Sequence, residues 1–312
     1  MPDDEHTDMS ANNPPASSDR WPGDKDAHRG DNDAHRGDKD APRGDNHAPG
    51  GDGAKPVLEA DHFSFSIEGK LILDDVSCRI YAGDFVSVIG PNGAGKSTFL
   101  KCLLRLQEKG RSEGRIVLDG RDINTYGQKQ LARVVSYVPQ AGGWIPPFSV
   151  RELARLSRFP HVSAVAGLSR DDELAVDKAL ELAGLGRLAG RSLKTLSGGE
   201  RQKAYLAAAL AQEGRVMLLD EPAAALDPKH AFELAVLLEK LNKEDNLTVI
   251  MVTHDLNHPL RTGGLALVLS GGRETYFGPS VELQREGILE AAFDHKFLYL
   301  DHPSGPGRLV VA

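Results

Sequence analysis

A glycine-rich segment near residue 90 carries the clearest chemical signal in the sequence. It reads Gly90-Pro91-Asn92-Gly93-Ala94-Gly95-Lys96-Ser97-Thr98 and matches the pattern G-x-x-x-x-G-K-[ST]. Glycines in such a loop let backbone N–H groups point inward at phosphate oxygens, and a following helix N-terminus adds positive potential. The loop therefore predicts a nucleoside triphosphate site in which Lys96 contacts the β- and γ-phosphates and Ser97 coordinates Mg²⁺.

Two adjacent carboxylates, Asp220 and Glu221, follow the apolar run Val216–Leu219. Ligands of open α/β sheets bind at the carboxyl ends of the strands, so an apolar strand that ends in two acids can place both in the same site. Beside a phosphate-binding loop, Asp220 is expected to hold Mg²⁺ and Glu221 to polarise the attacking water.

A third motif, Leu196-Ser197-Gly198-Gly199-Glu200, begins a helical segment. Ser197 and Glu200 form an S-x-x-E capping box, and the two glycines leave backbone N–H groups accessible to an anion. With this run beside the phosphate loop, the sequence resembles the nucleotide-binding subunits of ABC transporters, of which LSGGE is the signature. The resemblance covers residues 57–280 and implies ATP and Mg²⁺ as ligands.

The resemblance assigns roles to further residues. Gln140 resembles the glutamine that contacts Mg²⁺ and water, and His254 resembles the histidine that contacts the γ-phosphate. Glu221, His254, Gln140 and Lys96 are thus the predicted catalytic residues, with Ser97, Asp220 and Gln140 at the metal. Ser197, Gly198 and Gly199 would bind a nucleotide held by a second copy. The run Ala225-Leu226-Asp227 resembles the family's D-loop, which makes Asp227 a further predicted nucleotide-binding residue. Ile67 aligns where the family commonly stacks an aromatic ring on adenine.

Alternating strands and helices must position these residues. Continuous apolar runs predict buried parallel strands, and helices between them predict a sheet covered on both faces. Together with the resemblance, this gives an α/β fold with a P-loop NTPase core and mostly parallel sheet, an antiparallel β subdomain and a helical signature subdomain at about residues 141–200. The predicted elements are strands Phe63–Ile67, Phe85–Ile89, Arg115–Leu118, Val134–Val138, Val216–Leu219 and Thr248–Val252, and helices Ser97–Gln107, Gly199–Ala211 and Lys229–Leu241.

Composition divides the 312-residue chain in two. Residues 1–56 contain seven-residue repeats such as DKDAHRG and almost no aliphatic side chains, which predicts a disordered low-complexity tail. Residues 57–312 are expected to form the nucleotide-binding domain. The formal net charge of -8 argues against a nucleic-acid partner. The two cysteines are too few for a disulfide scaffold. The sequence contains no run of about 18 apolar residues, the length that a membrane span would need.

The family resemblance also implies partners. Two copies would pair head to tail with ATP between them, and a membrane permease dimer would receive the motion, served indirectly by a substrate-binding protein. The expected location is the cytoplasmic face of the inner membrane, as a peripheral subunit. The segments Phe148–Leu153 and Arg158–His161 resemble those of importers of ferric siderophores, haem and vitamin B12, so uptake of an iron chelate or cobalamin is the predicted function.

Two other functions are open at this stage. One is a soluble, non-transport ABC-type ATPase that acts in iron–sulfur assembly or on DNA or ribosomes. The long coiled-coil insertions and second cassette of the repair and translation classes are absent from this sequence. The other is a regulatory module that binds nucleotide without turnover, which the presence of Glu221 and His254 disfavours.

Overall fold

The computed structural model describes residues 54–311, with gaps at 108, 141, 143, 163–166, 286 and 302–307. All of these residues fall in one unit of the chain, Asp40–Ala312. The predicted tail with its seven-residue repeats lies outside the described residues, apart from residues 54–56, which have no regular secondary structure.

Twelve strands and eight α-helices form within the described residues. The strands are β1 (Leu58–Ile67), β2 (Lys70–Ile80), β3 (Phe85–Ile89), β4 (Arg111–Leu118), β5 (Arg121–Asp122), β6 (Val135–Val138), β7 (Val216–Asp220), β8 (Thr248–Val252), β9 (Leu265–Ser270), β10 (Arg273–Pro279), β11 (Leu298–Asp301) and β12 (Arg308–Val311). The helices are α1 (Lys96–Leu103), α2 (Gln128–Ala132), α3 (Val150–Leu156), α4 (Arg170–Leu182), α5 (Gly198–Ala211), α6 (Pro228–Asp245), α7 (Asn257–Thr262) and α8 (Ile288–Phe293).

The central sheet has six strands in the order β10-β9-β3-β8-β7-β6. Strands β9, β3, β8, β7 and β6 run parallel, and β10 joins β9 antiparallel at the edge. Every residue of β3, β7 and β8 is buried, because both faces of a parallel sheet are covered. The carboxyl ends of β3, β8, β7 and β6 therefore meet at one edge of the sheet.

A second sheet, in the order β2-β1-β4-β5, is antiparallel throughout. Phe63 and Phe65 of β1 are buried, and Ser64 between them is only partly buried, so the period-two pattern of the sequence marks the covered face. The predicted α/β class, with a mostly parallel sheet and a separate antiparallel one, is confirmed.

Helices α3, α4 and α5 share their own apolar core, which includes Val150, Val176, Leu180 and Ala207. Each of the three begins with a capping box, in which a serine accepts from the N–H three residues on and an acidic side chain accepts from the serine N–H. Where α3 and α5 end and α4 begins, a buried guanidinium joins the three helices. Arg158 donates to Asp172 at 2.9 Å and to the carbonyl of Ala211, the last residue of α5, at 2.7 Å.

Several predicted element limits are wrong: strand β1 begins at Leu58, five residues before the predicted Phe63, and helix α6 ends at Asp245, four residues after the predicted Leu241. Helix α1 ends at Leu103 and not near Gln107, because Arg105 adopts a left-handed conformation with φ 53°. The N–H groups of Arg105 and Leu106 bond back to the carbonyls of Cys102 and Lys101, which closes the helix in a Schellman arrangement. Strand β4 begins at Arg111, four residues before the predicted Arg115.

Both cysteines, Cys78 and Cys102, are buried free thiols. Burial raises the pKa of each thiol to about 12. Among the described residues, no helix combines the length and the apolar character needed to cross a membrane.

Candidate functional site

The loop between β3 and α1 carries the predicted phosphate-binding segment. Its entry, Gly90, has φ 148°, and a Cβ there would overlap the carbonyl oxygen of Leu269 on β9. Its last residue, Gly95, has φ 95° and serves as the N-cap of α1 without a side chain. Only glycine adopts this backbone without strain, so the loop can curl tightly at the N-terminus of α1.

Lys96 projects into this loop. The residue is 5% exposed, and its Nζ donates to the carbonyl oxygens of Gly90 at 2.7 Å and Pro91 at 2.9 Å. Burial lowers the pKa of Lys96, and the charges of Glu221 and Asp220 oppose that effect. A buried ammonium inside a ring of backbone groups is a suitable partner for an anionic ligand that enters the same loop.

Ser97 and Asp220 meet at the edge of the central sheet, although 123 residues separate them. The Ser97 hydroxyl donates to Asp220 Oδ1 at 2.8 Å, and the Tyr137 hydroxyl lies 3.5 Å from Oδ2. Asp220 is 3% exposed, and burial raises the pKa of its carboxyl. A buried carboxylate with a hydroxyl at its side is a site that a hard cation would stabilise.

Glu221 lies between two polar side chains from the neighbouring strand ends. Gln140 Nε2 donates to Glu221 Oε2 at 2.6 Å, and His254 Nε2 lies 2.5 Å from Oε1. The backbone at Glu221 is left-handed, with φ 48°, and its N–H donates to the carbonyl of Val252, where β8 ends, at 3.1 Å. These contacts fix the carboxylate beside Asp220, at the edge of the sheet that holds the phosphate loop.

The remaining predicted site residues lie at two helix starts. The Ser197 hydroxyl accepts from the Glu200 N–H at 3.2 Å at the start of α5. Asp227 caps α6, with Oδ1 accepting from the His230 N–H at 3.0 Å and Oδ2 2.6 Å from His230 Nδ1. Hydrogen bonds from His230 lower the pKa of Asp227.

The two starts lie together, because positions 198 and 199 pack beside the residues that precede Asp227. A Cβ at Gly198 would lie 3.8 Å from Ala225 Cβ, and one at Gly199 would lie 3.3 Å from Leu226 Cδ2.

The structure thus brings Lys96, Ser97, Asp220, Glu221, Gln140 and His254 to one edge of the central sheet. We call these six residues the sheet-edge cluster. Ser197, Gly198, Gly199 and Asp227 form a second group, which we call the helix-start group.

Sequence reasoning missed two contacts that support the sheet-edge cluster. Tyr137 reaches Asp220, and the buried amide of Gln202 donates to the carbonyl of Pro139, next to Gln140, at 3.2 Å. Tyr137 had a usable signal, since it is a polar-tipped aromatic near the end of a strand that leads to Gln140. No sequence signal could have identified Gln202, because a glutamine on a helix is ordinarily exposed.

The sheet-edge cluster fits a nucleoside triphosphate with a divalent cation. The glycine loop and Lys96 offer N–H donors and one positive charge, and Ser97 and Asp220 offer hard oxygen ligands. The described residues hold no group of three or more His, Cys, Asp or Glu side chains that could bind a metal by themselves.

Comparisons with known proteins agree with this chemistry. The sequence model of the ABC transporter family matches residues 73–224. The ferric enterobactin transport ATP-binding protein FepC of Escherichia coli is 36% identical over 77% of this chain and 88% of its own length. The petrobactin import ATP-binding protein FpuC of Bacillus anthracis is 40% identical over 72% of this chain and 80% of its own length. The hemin import ATP-binding protein HmuV of Pseudomonas fluorescens is 36% identical over 78% of this chain and 94% of its own length.

Solved structures give the same answer. A chain of a metal-chelate type ABC transporter in an inward-facing conformation superposes with a TM-score of 0.70 at 26% identity, covering 82% of this chain and 97% of that one. The ATP-binding cassette MJ0796, in a dimeric post-hydrolysis state bound to ADP and Pi, superposes with a TM-score of 0.62 at 30% identity. The match covers 71% of this chain and 97% of that one.

The chain belongs to the ABC transporter family and is an ATP-binding subunit of the kind that hydrolyses ATP. Its ABC-type fold, predicted from the three motifs, is confirmed by these comparisons.

Proposed function

We propose that this chain is the ATP-hydrolysing subunit of an importer that brings an iron chelate, a ferric siderophore or haem, into the cell through a separate membrane permease. The observation that carries the ATPase assignment is the placement of Glu221 between Gln140 and His254, next to the phosphate loop. The cargo class rests on the relatives named for transport of ferric enterobactin, petrobactin and hemin. These relatives favour the importer over a non-transport ATPase.

The first part of the mechanism is the capture of the triphosphate. The loop Gly90–Thr98 would wrap the phosphates with its N–H groups, and Lys96 would exchange its carbonyl partners for β- and γ-phosphate oxygens. Ser97, Asp220 and Gln140 would hold Mg²⁺, which when bound neutralises charge on the β- and γ-phosphate oxygens. Asp220 would then carry its charge at a buried position with less penalty.

The second part is the activation of water. In our proposal Glu221 accepts a proton from the attacking water, and Gln140 helps to position that water. His254, only 2.5 Å from the same carboxylate, would orient Glu221 and reach the γ-phosphate from the neighbouring strand end. All three groups come from adjacent parallel strands, so a single sheet edge fixes their mutual distances.

The third part needs a second copy. In a head-to-tail dimer, Ser197, Gly198, Gly199 and Asp227 of one chain would face the nucleotide held by the phosphate loop of the other. The capped start of α5 supports this role, because its N–H groups and two glycines suit an anion. Closing and opening of that dimer would move a permease dimer, with the chain held at the cytoplasmic face of the membrane and a substrate-binding protein delivering the cargo.

Uptake by cells tests this proposal. A strain without this chain is supplied with ferric siderophores, haem or cobalamin, and then complemented with the natural sequence or with Glu221→Gln. We expect uptake of an iron chelate to fall in the deletion strain, to recover with the natural chain and to stay low with the variant. Normal uptake of all three cargo classes in the deletion strain, with ATPase activity intact in the purified chain, would instead identify a non-transport ATPase.

A further inference from the structure

The segment between β8 and α7, residues 253–256, carries His254, and we call it the His254 loop. His254 Nε2 lies 2.5 Å from Glu221 Oε1, yet the histidine side chain is 47% exposed. Because so much of the ring faces solvent, close packing around it cannot be what fixes its position. The place of the imidazole therefore depends on how firmly the two ends of this short loop are held.

One end of the loop is fixed by the central sheet, since β8 is buried along its length and pairs with β3 and β7. The other end is α7, which has only six residues. Helices of this length are not stable by themselves in water, so α7 needs contacts with other elements. One such contact is at Pro259, whose carbonyl oxygen accepts from the Ser280 hydroxyl at 2.8 Å.

The first residue of α7, Asn257, is bonded to strand β12. Its Nδ2 donates to the carbonyl oxygen of Val310 at 3.0 Å, and the Val310 N–H donates to Asn257 Oδ1 at 2.8 Å. An amide side chain has one donor group and one acceptor, and here both pair with the backbone of a single residue. The two bonds together fix the distance and the orientation between the start of α7 and β12.

Strand β12 is a firm support, because Val310 is only 5% exposed and belongs to an apolar cluster. That cluster includes Ile89, which ends β3 just before Gly90 of the phosphate loop, and Leu256 of the His254 loop packs against it. Val310 is therefore part of the apolar group that lies beneath both loops.

We propose that Asn257 is a positioning residue for ATP hydrolysis, which ties the His254 loop to β12 and so keeps the imidazole beside Glu221. The inference rests on the role that the proposed function gives to His254. Without the Asn257 side chain, α7 keeps its contact at Pro259, so the fold persists while the His254 loop gains freedom at one end. A misplacement of about 1 Å can lower a catalytic rate by about 100-fold, so a small gain in freedom is enough to be measured.

A double-mutant cycle on the full-length chain tests the inference. We expect His254→Ala to lower kcat by about 100-fold and Asn257→Ala to lower it by about tenfold, with KM for ATP changed by less than about twofold in the latter. In the His254→Ala background, Asn257→Ala should change kcat by less than about twofold, because the group that it positions is absent. ADP has no γ-phosphate, and its normal binding to every variant, measured by calorimetry, shows that the phosphate loop is folded.

Asn242→Ala is the matched control. Asn242 also makes two side-chain hydrogen bonds to the backbone, to the carbonyl oxygens of Gly83 and Leu247 at 2.7 Å each. These residues lie just before β3 and β8 begin, at the opposite edge of the central sheet from His254. The control is expected to lower the melting temperature and to leave kcat unchanged at a temperature where the variant is folded.

Asn257→Asp is a milder form of the same test, because it keeps the side-chain size and the acceptor and loses only the donor. It is also expected to lower kcat, and it serves where Asn257→Ala folds poorly. A natural kcat in the Asn257 variants, an equal loss in Asn242→Ala, or an undiminished effect in the His254→Ala background would overturn the inference and leave the proposed function intact. Full turnover by His254→Ala would instead refute the role of His254 in the proposed function, and the inference with it.

Discussion

The sheet-edge cluster and the helix-start group each contain a serine and an aspartate, but the two groups are held in different ways. In the cluster, Ser97, Gln140 and His254 bond to carboxylates that are 33 to 123 residues away in sequence. In the helix-start group, the side-chain hydrogen bonds of Ser197 and Asp227 within the described residues reach only to residues three positions on. The first group is assembled by tertiary structure and the second by local helix capping.

This contrast indicates how complete each region is within one chain. The cluster is preorganised, because parallel strands fix its groups relative to one another and to the phosphate loop. The helix-start group satisfies its own side chains by local capping, and our proposal assigns its helix terminus to a nucleotide held by the second copy. A division of this kind suits a reaction that one copy prepares and a second copy completes, and each region can be perturbed separately.

The largest expected effect is on catalysis by the sheet-edge cluster. Glu221→Gln keeps the shape of the side chain but cannot accept a proton, so we expect hydrolysis to slow by about 10²–10⁴-fold while ATP still binds. The variant should accumulate as an ATP-bound dimer on a sizing column. Glu244→Gln, at an exposed position of α6, serves as the control. A monomer with unchanged turnover would refute both the base assignment and the dimer.

Lys96→Ala tests the same cluster at the binding step. The substitution removes the only positive side chain in the loop Gly90–Thr98, and we expect ATP affinity to fall by about 100-fold or more. Calorimetry on the variant and on Lys70→Ala, an exposed lysine of β2, measures the difference. Near-normal affinity in the variant would mean that the loop does not hold the triphosphate.

Asp172→Asn separates stability from the site. Asp172 lies in the first turn of α4 and pairs with the buried Arg158, and hydrogen bonds from Ser169 and Arg158 lower its pKa to about 2. The charged form therefore stabilises the fold above the unfolded pKa of about 3.8, and this contribution is lost as the pH falls toward 2. We expect a loss of about 3 kcal/mol at pH 7 that shrinks below pH 4, with nucleotide affinity unchanged.

Denaturant unfolding at several pH values measures that loss, and Asp171→Asn, its exposed neighbour, is the control. An equal loss in both variants would show that the buried pair is not what holds these helices.

Ser197→Ala addresses the helix-start group. Removal of the cap is expected to cost about 1 kcal/mol of stability, leave the ATP affinity of a single chain unchanged and abolish the dimer formed in the Glu221→Gln background. Ser149→Ala removes the equivalent cap of α3 and provides a matched control for stability alone. If both substitutions leave the dimer intact, the start of α5 does not face a nucleotide.

The smallest expected effect is at Ile67. An aromatic ring that stacks on a base contributes about 1–3 kcal/mol, and isoleucine recovers part of this by burial, so Ile67→Tyr should tighten ATP binding several-fold without changing turnover. Calorimetry with ATP and GTP in parallel, with Leu71→Tyr as the control, measures this. Unchanged affinity would show that Ile67 is not near the adenine.

The sequence is a good guide to these regions where burial is complete. Strands β3, β7 and β8 are mostly apolar because both of their faces are covered, so their positions and the two acids at the end of β7 could be predicted. The first part of β4 could not, because Arg111–Arg115 are exposed and show no alternation. The end of α1 was missed because Arg105, and not a glycine, takes the left-handed position.

The bonds that join the cluster were also beyond sequence reasoning in their detail. Local motifs identified Ser97, Asp220 and Glu221, but the contact of Gln140 with Glu221 depends on the order of β6, β7 and β8 across the sheet. Helix caps such as that of Ser197 are different, since both partners lie within four residues and the spacing alone specifies the bond.

The strand order of the central sheet has a consequence for synthesis. Strand β3 pairs with β8 and β9, which follow it by about 160 residues or more, so a growing chain exposes the apolar segment Phe85–Ile89 long before its neighbours exist. At ribosomal rates of about 5–20 residues per second, this delay is on the order of ten seconds or longer. An unpaired strand of this kind is prone to aggregate, so we expect the nascent chain to depend on chaperones until β8 has left the ribosome.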